Sequence, residues 1–133
     1  MIRLEIVTPE KRILDAEVDS VTVPTASGEA GILPFHAPLV SVLRPGILTY
    51  TGRDENGKLA VSAGFVEVNS DKVAVLVDTA EAAGEIDVEA ARAERETAEK
   101  ALAAAGQASA EENEAIREVL DHASARLSLA AGK

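Results

Sequence analysis

The feature that most constrains the fold is a change in composition near residue 86. All five prolines of the 133-residue chain precede this point, whereas residues 87–133 contain no proline and 15 alanines. Proline interrupts helices and alanine favours them, so the two parts are expected to differ in architecture. The sequence therefore predicts two domains, a β-rich domain over residues 1–84 and a helical domain over residues 85–133.

Short segments of the first part alternate apolar and polar residues, which is the period of a strand with one buried face. Residues 2–7 and 18–23 show this alternation, and further β-runs predict strands over residues 39–43, 47–51, 59–63, 65–68 and 73–77. Asp54-Glu55-Asn56-Gly57 predicts a hairpin turn between two of these strands, because Asn-Gly supplies the positive φ that tight turns require. Many short strands joined by turns indicate an antiparallel β-sandwich. Its core must be aliphatic, since the chain has only three aromatic residues, Phe35, Tyr50 and Phe65.

Two amphipathic helices are predicted in the second part. Asp87 is the expected N-cap of the first helix, Gly106 ends it, and Ser109 with Glu112 forms a capping box for the second. The expected apolar stripes are Val88, Ala91, Ala98, Leu102 and Ala105 in the first helix and Ile116, Val119, Leu120, Ala123, Leu127 and Ala130 in the second. They predict an antiparallel α-helical hairpin. Because alanine buries little area, two interpretations stay open: a hairpin that detaches as a unit, or a static C-terminal buttress.

The segment of residues 28–39, Gly-Glu-Ala-Gly-Ile-Leu-Pro-Phe-His-Ala-Pro-Leu, holds two glycines, two prolines and one of the two histidines, but no lysine or arginine. Gly28 and Gly31 permit unusual backbone angles and the prolines fix φ, so we expect a rigid, irregular crossing between strands. Some of its large apolar residues must pack inward or against a partner: Ile32, Leu33, Phe35 and Leu39. His36 is expected to hydrogen-bond a backbone carbonyl.

Composition and motifs argue against several function classes. With 13 basic and 23 acidic residues the net charge is −10, which repels nucleic acid and anionic lipid. The absence of cysteine removes disulfides, thiolate nucleophiles and cysteine zinc sites. No metal-ligand spacing or nucleophile elbow occurs, so we expect no catalytic residues, no metal and no nucleic-acid partner. No apolar run approaches the roughly 20 residues that span a bilayer, so a cytoplasmic protein is expected.

The segment of residues 28–39, followed by Leu43-Arg44-Pro45-Gly46, resembles the signature of the epsilon subunit of bacterial F-type ATP synthase. Residues 63–68, residues 73–81 and Ile86-Asp87 occur in that family's order and spacing, so the resemblance covers essentially the whole chain. It implies a non-catalytic rotor subunit of the central stalk, which couples the membrane ring to the gamma shaft and needs no cofactor. It also implies a peripheral location at the cytoplasmic face of the plasma membrane, with membrane contact only through the complex.

The resemblance further implies that residues 28–39 meet the gamma subunit and the polar loops of the membrane ring. On this view Glu29 offers a carboxylate to the ring loops, while Phe35 and Leu39 supply apolar contact. The implied interface residues are Glu29, Gly31, Pro34, Phe35, His36, Pro38 and Leu39. Members of the family often carry glycine where this chain has Phe35.

A nucleotide site in the helical part is also implied, where the family has Ile or Leu, Asp, two variable residues, Arg and Ala. The candidate residues are Ile86, Asp87, Ala91, His122 and Arg126. However, Ala90 stands where the arginine is expected, and His122 replaces one of two arginines that lie four residues apart. A triphosphate needs several charge-assisted donors, so we expect ATP binding to be weak or absent.

In the family the two helices can also block ATP hydrolysis, helped by basic residues that face the catalytic subunits. Residues 87–133 hold six basic and ten acidic residues, which does not favour such an attraction here. Contact with the catalytic alpha and beta subunits would instead be apolar, through Ile116, Val119 and Leu120. A function from another class stays open, namely a free-standing ligand- or nucleotide-sensing module whose hairpin closes over its ligand.

Overall fold

The computed structural model describes residues 1–53, 55–105 and 110–132. The described part contains a β-domain, one 3-10 turn at Ala83–Glu85 and two helices, α1 (Val88–Ala105) and α2 (Ala110–Ala130). The strands of the β-domain are β1 (Ile2–Val7), β2 (Arg12–Val18), β3 (Ser20–Thr25), β4 (Gly28–Ile32), β5 (Leu39–Leu43), β6 (Gly46–Thr51), β7 (Asn56–Val61), β8 (Gly64–Asn69), β9 (Lys72–Val77) and β10 (Ala80–Glu81). The predicted order, a β-sandwich followed by a helical hairpin, is confirmed.

The strands follow one path, β10-β7-β6-β3-β5-β8-β9-β1-β2, and β4 pairs with β3 beside it. Strand β3 pairs with β6 through residues 20–22 and with β5 only through Thr25 and Leu43, so the sheet turns into its second layer there. All pairs are antiparallel except β1 with β9, which run parallel. The sequence pattern did not predict this parallel pair, because alternation shows which face of a strand is buried but not its neighbour.

The core between the two layers is aliphatic, as predicted. Its fully buried side chains come from alternating positions of most strands and include Leu4, Ile6, Val21, Val23, Ile32, Leu43, Leu48, Val61, Val66 and Val75. Tyr50 packs only against the edge of this core, while Phe35 and Phe65 lie on the outside. Branched aliphatic side chains suit the pleated surface of a sheet, so a sandwich of this kind does not need an aromatic core.

Several strand boundaries differ from the prediction. The predicted strand over residues 18–23 is two strands, β2 and β3, which meet at Asp19. Strand β4 occupies part of the segment predicted as irregular, and β10 was not predicted because two residues carry no measurable alternation. The break at Asp19 is hidden in the sequence, because Val18, Val21 and Val23 are apolar on both sides of it and all three are buried.

The hairpin turn predicted over residues 54–57 is wrong in position: Asp54 lies outside the described residues, and the connection ends before Asn56 and Gly57. Both residues belong to β7, where Asn56 pairs with Thr51 and Gly57 pairs with Tyr50, and the φ of Gly57 is not positive. The connection between β6 and β7 lies earlier, where the Gly52 amide donates a 2.7 Å hydrogen bond to the Glu55 carbonyl. Gly57 has another role, since a Cβ at this position would overlap the Tyr50 ring.

Helix α1 begins at its predicted N-cap, Asp87. The Asp87 carboxylate Oδ1 accepts a 3.0 Å hydrogen bond from the Ala90 amide, so Asp87 is the N-cap of α1. The predicted roles of Gly106 and Ser109 fall on residues outside the described part of the chain. Helices α1 and α2 pack against each other, and Ala91, Ala98 and Ala123 are the buried members of the predicted stripes.

Helix α2 also packs on the sandwich, through a face that the predicted stripe left out. Ala125 and Leu129 form a buried cluster with Ala60 of β7 and with Ile86, while Ile47 and Ala130 pack at its edge. The predicted stripe is wrong at Val119, which is 45% exposed. One helix thus has two buried faces, one toward α1 and one toward β6 and β7.

Polar contacts reinforce this docking. Arg126 donates to both carboxylate oxygens of Glu81 in β10, from Nε at 2.8 Å to Oε1 and from a terminal nitrogen at 3.3 Å to Oε2. Both side chains are largely buried, with 13% and 24% exposure. A terminal nitrogen of Arg44 lies 3.4 Å from carboxylate oxygens of both Glu114 and Asp121 in α2. The docked hairpin is therefore held by more than alanine packing.

Candidate functional site

Residues 28–39 begin as a regular strand and then form a short connection. Gly28–Ile32 is strand β4, which pairs with β3 in register from Val21–Ile32 to Thr25–Gly28, so the expectation of an irregular crossing is wrong for this half. Gly28 has a φ of 117°, as expected for a position that glycine favours. Gly31 does not share this role, because it lies in the strand without a positive φ.

The unusual backbone lies instead at Phe35, in the β4–β5 loop of residues 33–38. Its φ is 67°, in the left-handed region that bulky residues avoid. Its side chain is 90% exposed, and that of Leu33 is 63% exposed. Of the four large apolar residues in the segment, Ile32 is buried and Leu39 packs against the core, while Leu33 and Phe35 point outward.

Hydrogen bonds within the loop fix its shape. The His36 amide donates to the Leu33 carbonyl at 3.2 Å, and His36 Nδ1 donates to the Ala37 carbonyl at 2.7 Å. The expectation that His36 hydrogen-bonds a backbone carbonyl is confirmed. Pro34, inside the turn closed by the first bond, and Pro38, directly after Ala37, fix φ. The loop therefore has few conformations to lose when a partner binds.

The remaining residues of the predicted interface lie around this loop. Glu29 is exposed on β4 opposite Pro24, and Gly31 is exposed two positions further along the same strand. Pro34 is half-buried and Pro38 is exposed. The predicted residues thus form one surface region, with a single carboxylate beside two outward apolar side chains.

An exposed apolar row, which the sequence did not predict, crosses three neighbouring strands. Val42 of β5, Phe65 of β8 and Leu76 of β9 are paired in register, and they are 51%, 55% and 47% exposed. Together with Val7 and Pro9 they line a shallow groove of about 550 Å³. We call Val42, Phe65 and Leu76 the apolar row. A contiguous outward apolar patch of this kind is a candidate interaction surface.

The next row of the same sheet face carries a carboxylate. It contains Val40, Glu67, Ala74 and Glu5 in register, and Val40 is 72% exposed. Glu5 pairs with Lys72 at 3.7 Å, whereas Glu67 forms no ion pair with another residue of the described ranges. Glu67 is therefore available to a basic group of a partner that covers the apolar row.

The sequence did contain a signal for this surface. Leu39-Val40, Val42-Leu43, Phe65-Val66 and residues 73–77 place apolar residues at adjacent strand positions. Adjacent strand residues point to opposite faces, so such runs indicate a strand covered on both sides. In this chain one side is the sandwich core, and the described part of the chain leaves the other side exposed.

The candidate nucleotide residues are brought only partly together. Asp87 Oδ1 serves as the α1 cap, and Ile86 and Ala91 are buried. His122 and Arg126 lie near each other beside a groove of about 340 Å³ between α2 and the strands. Arg126 is ion-paired with Glu81, and His122 Nε2 lies 3.3 Å from the Thr79 hydroxyl. The main cationic group of the predicted site thus already has an anionic partner.

The surroundings of His122, next to Arg126, favour the neutral form of its imidazole. Burial lowers the pKa of His122, and the positive charge of Arg126 lowers it further, while Glu94 and Glu81 act in the opposite direction. A neutral imidazole has at most one N–H donor, so it is a poorer phosphate ligand than the arginine that the motif expects.

The described ranges offer neither a candidate metal site nor a membrane-spanning helix. Within them, no group of three or more His, Cys, Asp or Glu side chains is placed to hold a metal ion. None of the helices in the described part is long and apolar enough to cross a membrane. The features that stand out are the β4–β5 loop and the apolar row, which are suited to protein contact.

Comparison with known families shows a match over the β-domain. The family model described as the beta-sandwich domain of the ATP synthase Delta/Epsilon chain matches residues 1–83. The ATP synthase epsilon chain of Desulforamulus reducens is 50% identical over 104 residues, which are 78% of this chain and 79% of the relative. That of Nitratidesulfovibrio vulgaris (strain DP4) is 41% identical over 128 residues, 96% of this chain and 87% of the relative.

Solved structures extend the similarity through the helices. A chain of the Euglena gracilis mitochondrial ATP synthase (OSCP/F1/c-ring) superposes with a TM-score of 0.78 at 26% identity, covering 98% of this chain and 81% of that chain. A chain of the Tetrahymena thermophila mitochondrial ATP synthase (central stalk/c-ring) gives a TM-score of 0.58 at 16% identity, covering 98% and 94%. The second similarity shows the fold alone.

Proposed function

We propose a coupling role for this chain, which belongs to the ATP synthase epsilon chain family and is a non-catalytic subunit of that complex. In this role it couples the membrane ring to the gamma shaft. The relatives' shared name supports the complex, and the similar chain of the Euglena OSCP/F1/c-ring structure supports a position in an assembly of F1 with a c-ring. The chain would lie peripherally at the cytoplasmic face of the membrane, with membrane contact only through the complex.

The observation that carries this proposal is the apolar row. The sandwich has a complete core that does not include Val42, Phe65 and Leu76, so these side chains stay exposed. They would become buried only in contact with a partner. Interfaces draw most of their binding energy from a few such central side chains, with aromatic residues enriched among them. We assign the gamma subunit to this face, with Glu67 as the acceptor for one of its basic groups.

The β4–β5 loop extends this surface toward a second partner. Val40, next to the loop, continues the exposed apolar side of β5 toward Val42. We propose that Glu29, Gly31, Pro34, Phe35, His36, Pro38 and Leu39 meet the membrane ring and the adjoining part of gamma. A sandwich whose strands are hydrogen-bonded along one path is stiff, so it would transmit torque between these partners with little elastic loss.

The helical hairpin is proposed to regulate ATP hydrolysis. In the docked form its outer groove, of about 460 Å³, is lined by Ala98 and Ala101 of α1 and by Ile116 and Val119 of α2. Undocking would let this surface reach the catalytic alpha and beta subunits by apolar contact and not by charge attraction, because residues 87–133 hold six basic and ten acidic residues. Truncation after Gly84 tests this point, and unchanged ATP hydrolysis by the assembled complex would refute it.

ATP is proposed to bind this chain weakly or not at all. The support is the pairing of Arg126 with Glu81, since a triphosphate would have to displace a largely buried carboxylate from its bidentate donor. Calorimetric titration of the purified chain with ATP is expected to show no saturation below millimolar concentrations. Micromolar binding would contradict the proposal and favour the nucleotide-sensing alternative.

Titration with the gamma subunit of the same source tests the interface. Phe65→Gln is expected to weaken binding at least tenfold, because it removes the aromatic centre of the apolar row. Val119→Gln, at a position of similar exposure on α2, is the matched control and should bind as the unmodified chain does. Equal losses in both variants would contradict the assignment, and no binding of the unmodified chain at micromolar concentration would contradict the function.

A further inference from the structure

Phe35 combines two features that rarely occur together at one residue. Its φ of 67° lies in the left-handed region, and its ring is 90% exposed. The backbone geometry costs free energy for a bulky side chain, and exposure of the ring gives no packing in return. Unless a partner contacts Phe35, glycine would therefore be the more stable residue at this position.

The surrounding loop holds the ring in one place. The His36 amide and ring each donate a hydrogen bond within the loop, to Leu33 and Ala37, and two prolines restrict the chain on either side. Leu33, 63% exposed, adds a second apolar side chain to the same loop. A rigid aromatic side chain presented in this way binds with little loss of conformational entropy.

The charge of the loop and of the chain favours a protein pocket, and not a lipid surface, as the site that Phe35 enters. Residues 28–39 contain no lysine or arginine, and their one charged residue at neutral pH is Glu29. Loops that insert into bilayers are commonly supported by basic residues that attract anionic headgroups, and the net charge of −10 has the opposite effect. The chemistry therefore fits an apolar pocket of a protein, with a basic or amide group near Glu29.

We propose that Phe35 is an aromatic anchor that inserts into an apolar pocket of a neighbouring synthase subunit, and that its left-handed backbone serves to aim the ring. This inference rests on the proposed function, because the neighbour is a subunit of the same complex. It adds a residue that determines specificity, since a loop with glycine here lacks the anchor. The strained backbone is retained because binding requires the aromatic ring of Phe35, whereas folding does not.

The test uses the purified full chain and synthase from which this chain has been removed. Phe35→Ala removes the ring and keeps the strained backbone, whereas Phe35→Gly removes both. Both variants are expected to bind about 30-fold more weakly than the unmodified chain. Phe35→Gly is also expected to raise the unfolding midpoint of the free chain by about 2 °C, because glycine is unstrained at this φ. Higher stability together with lower affinity is the signature of an anchor.

Ser70→Gly is the matched control. Ser70 has a φ of 55° in the turn between β8 and β9, at the same end of the sandwich as the loop, because Leu39 pairs with Val68. This change relieves a similar backbone without removing a ring, so it should raise the unfolding midpoint and leave affinity unchanged.

Three results would overturn the inference. Affinity of both Phe35 variants within twofold of the unmodified chain would show that the ring makes no contact. A lower unfolding midpoint for Phe35→Gly would show that the residue stabilises the fold. Binding of the unmodified chain to protein-free vesicles of the same lipids, lost in Phe35→Ala, would show that the pocket is a bilayer. If the unmodified chain itself fails to bind the depleted synthase, the proposed function is what fails.

Discussion

At the scale of single residues, His122 makes the stability of the docked hairpin depend on pH. Its ring faces Thr79 and Arg126, and Asp78, Glu81, Glu94 and Glu118 lie along the grooves around it. Burial and Arg126 lower the pKa of His122 below its ordinary value of 6.5. The folded form therefore prefers neutral histidine, while the unfolded chain takes up a proton at higher pH.

The sign of the resulting pH dependence is fixed by this shift. The contribution of His122 to the free energy of unfolding is fully present above pH 6.5 and is lost as the pH falls below that value. We expect the unfolding midpoint of the unmodified chain to fall on acidification from pH 7.5 to 5.5. The midpoint of the His122→Gln variant should fall less over the same range. Thermal unfolding across this range is the measurement, with His36→Gln as the control. Identical slopes for the two variants would contradict the assignment.

Residue-scale predictions from the sequence succeeded where the cause was local. The Asp87 cap, the positive φ of Gly28 and the backbone bond of His36 each depend on neighbours within a few positions. The Asn56-Gly57 turn failed because Gly57 lies in a strand against the Tyr50 ring, a contact that only the pairing of β6 with β7 creates. The left-handed geometry of Phe35 was not predicted because the residue is not glycine, although Pro34 before it is common in turns whose third residue has a positive φ.

At the scale of elements, Gly64 sets the approach of β8 to β9. A Cβ at this position would overlap the Leu76 carbonyl oxygen and come within 2.9 Å of Val77 Cγ1. We expect Gly64→Ala to destabilise the fold by about 2 kcal/mol, because a backbone group cannot yield as a side chain does. Urea unfolding measures this difference.

Gly31→Ala is the matched control for that change. Gly31 is also a strand glycine, but nothing lies within 4 Å of a Cβ at its position. This variant should be neutral or slightly stabilising, because alanine restricts the unfolded chain. Equal destabilisation by both variants would show that loss of glycine alone, and not the overlap with Leu76, is responsible.

Elements were predictable where one buried face imposed a period on the sequence. Strand β1 and both helices follow such patterns, whereas β5 and β9 were predicted from short apolar runs. Helix α2 was predicted with one buried stripe but has two, because Ala125 and Leu129 face the sandwich while Ala123 is buried elsewhere along the helix. A second buried face depends on where the helix docks, which local periodicity does not specify.

At the scale of the whole molecule, the composition break predicted the order of sandwich and hairpin, and the motifs predicted the family. The apolar row was not predicted, because each of its members lies on a strand whose other face is core, and only the register of β5, β8 and β9 brings them together. The contact of α2 with β10 through Arg126 and Glu81 was also missed, because it depends on where the helix docks on the sandwich.

The most direct test of the coupling role is ATP synthesis by membrane vesicles whose synthase lacks this chain. An imposed ion gradient is expected to drive little synthesis until the purified chain is added back, and Phe65→Gln should restore it only at higher concentration because it docks more weakly. We predict this recovery because the chain joins the membrane ring to the gamma shaft. Equal rates of gradient-driven synthesis with and without the chain would contradict it.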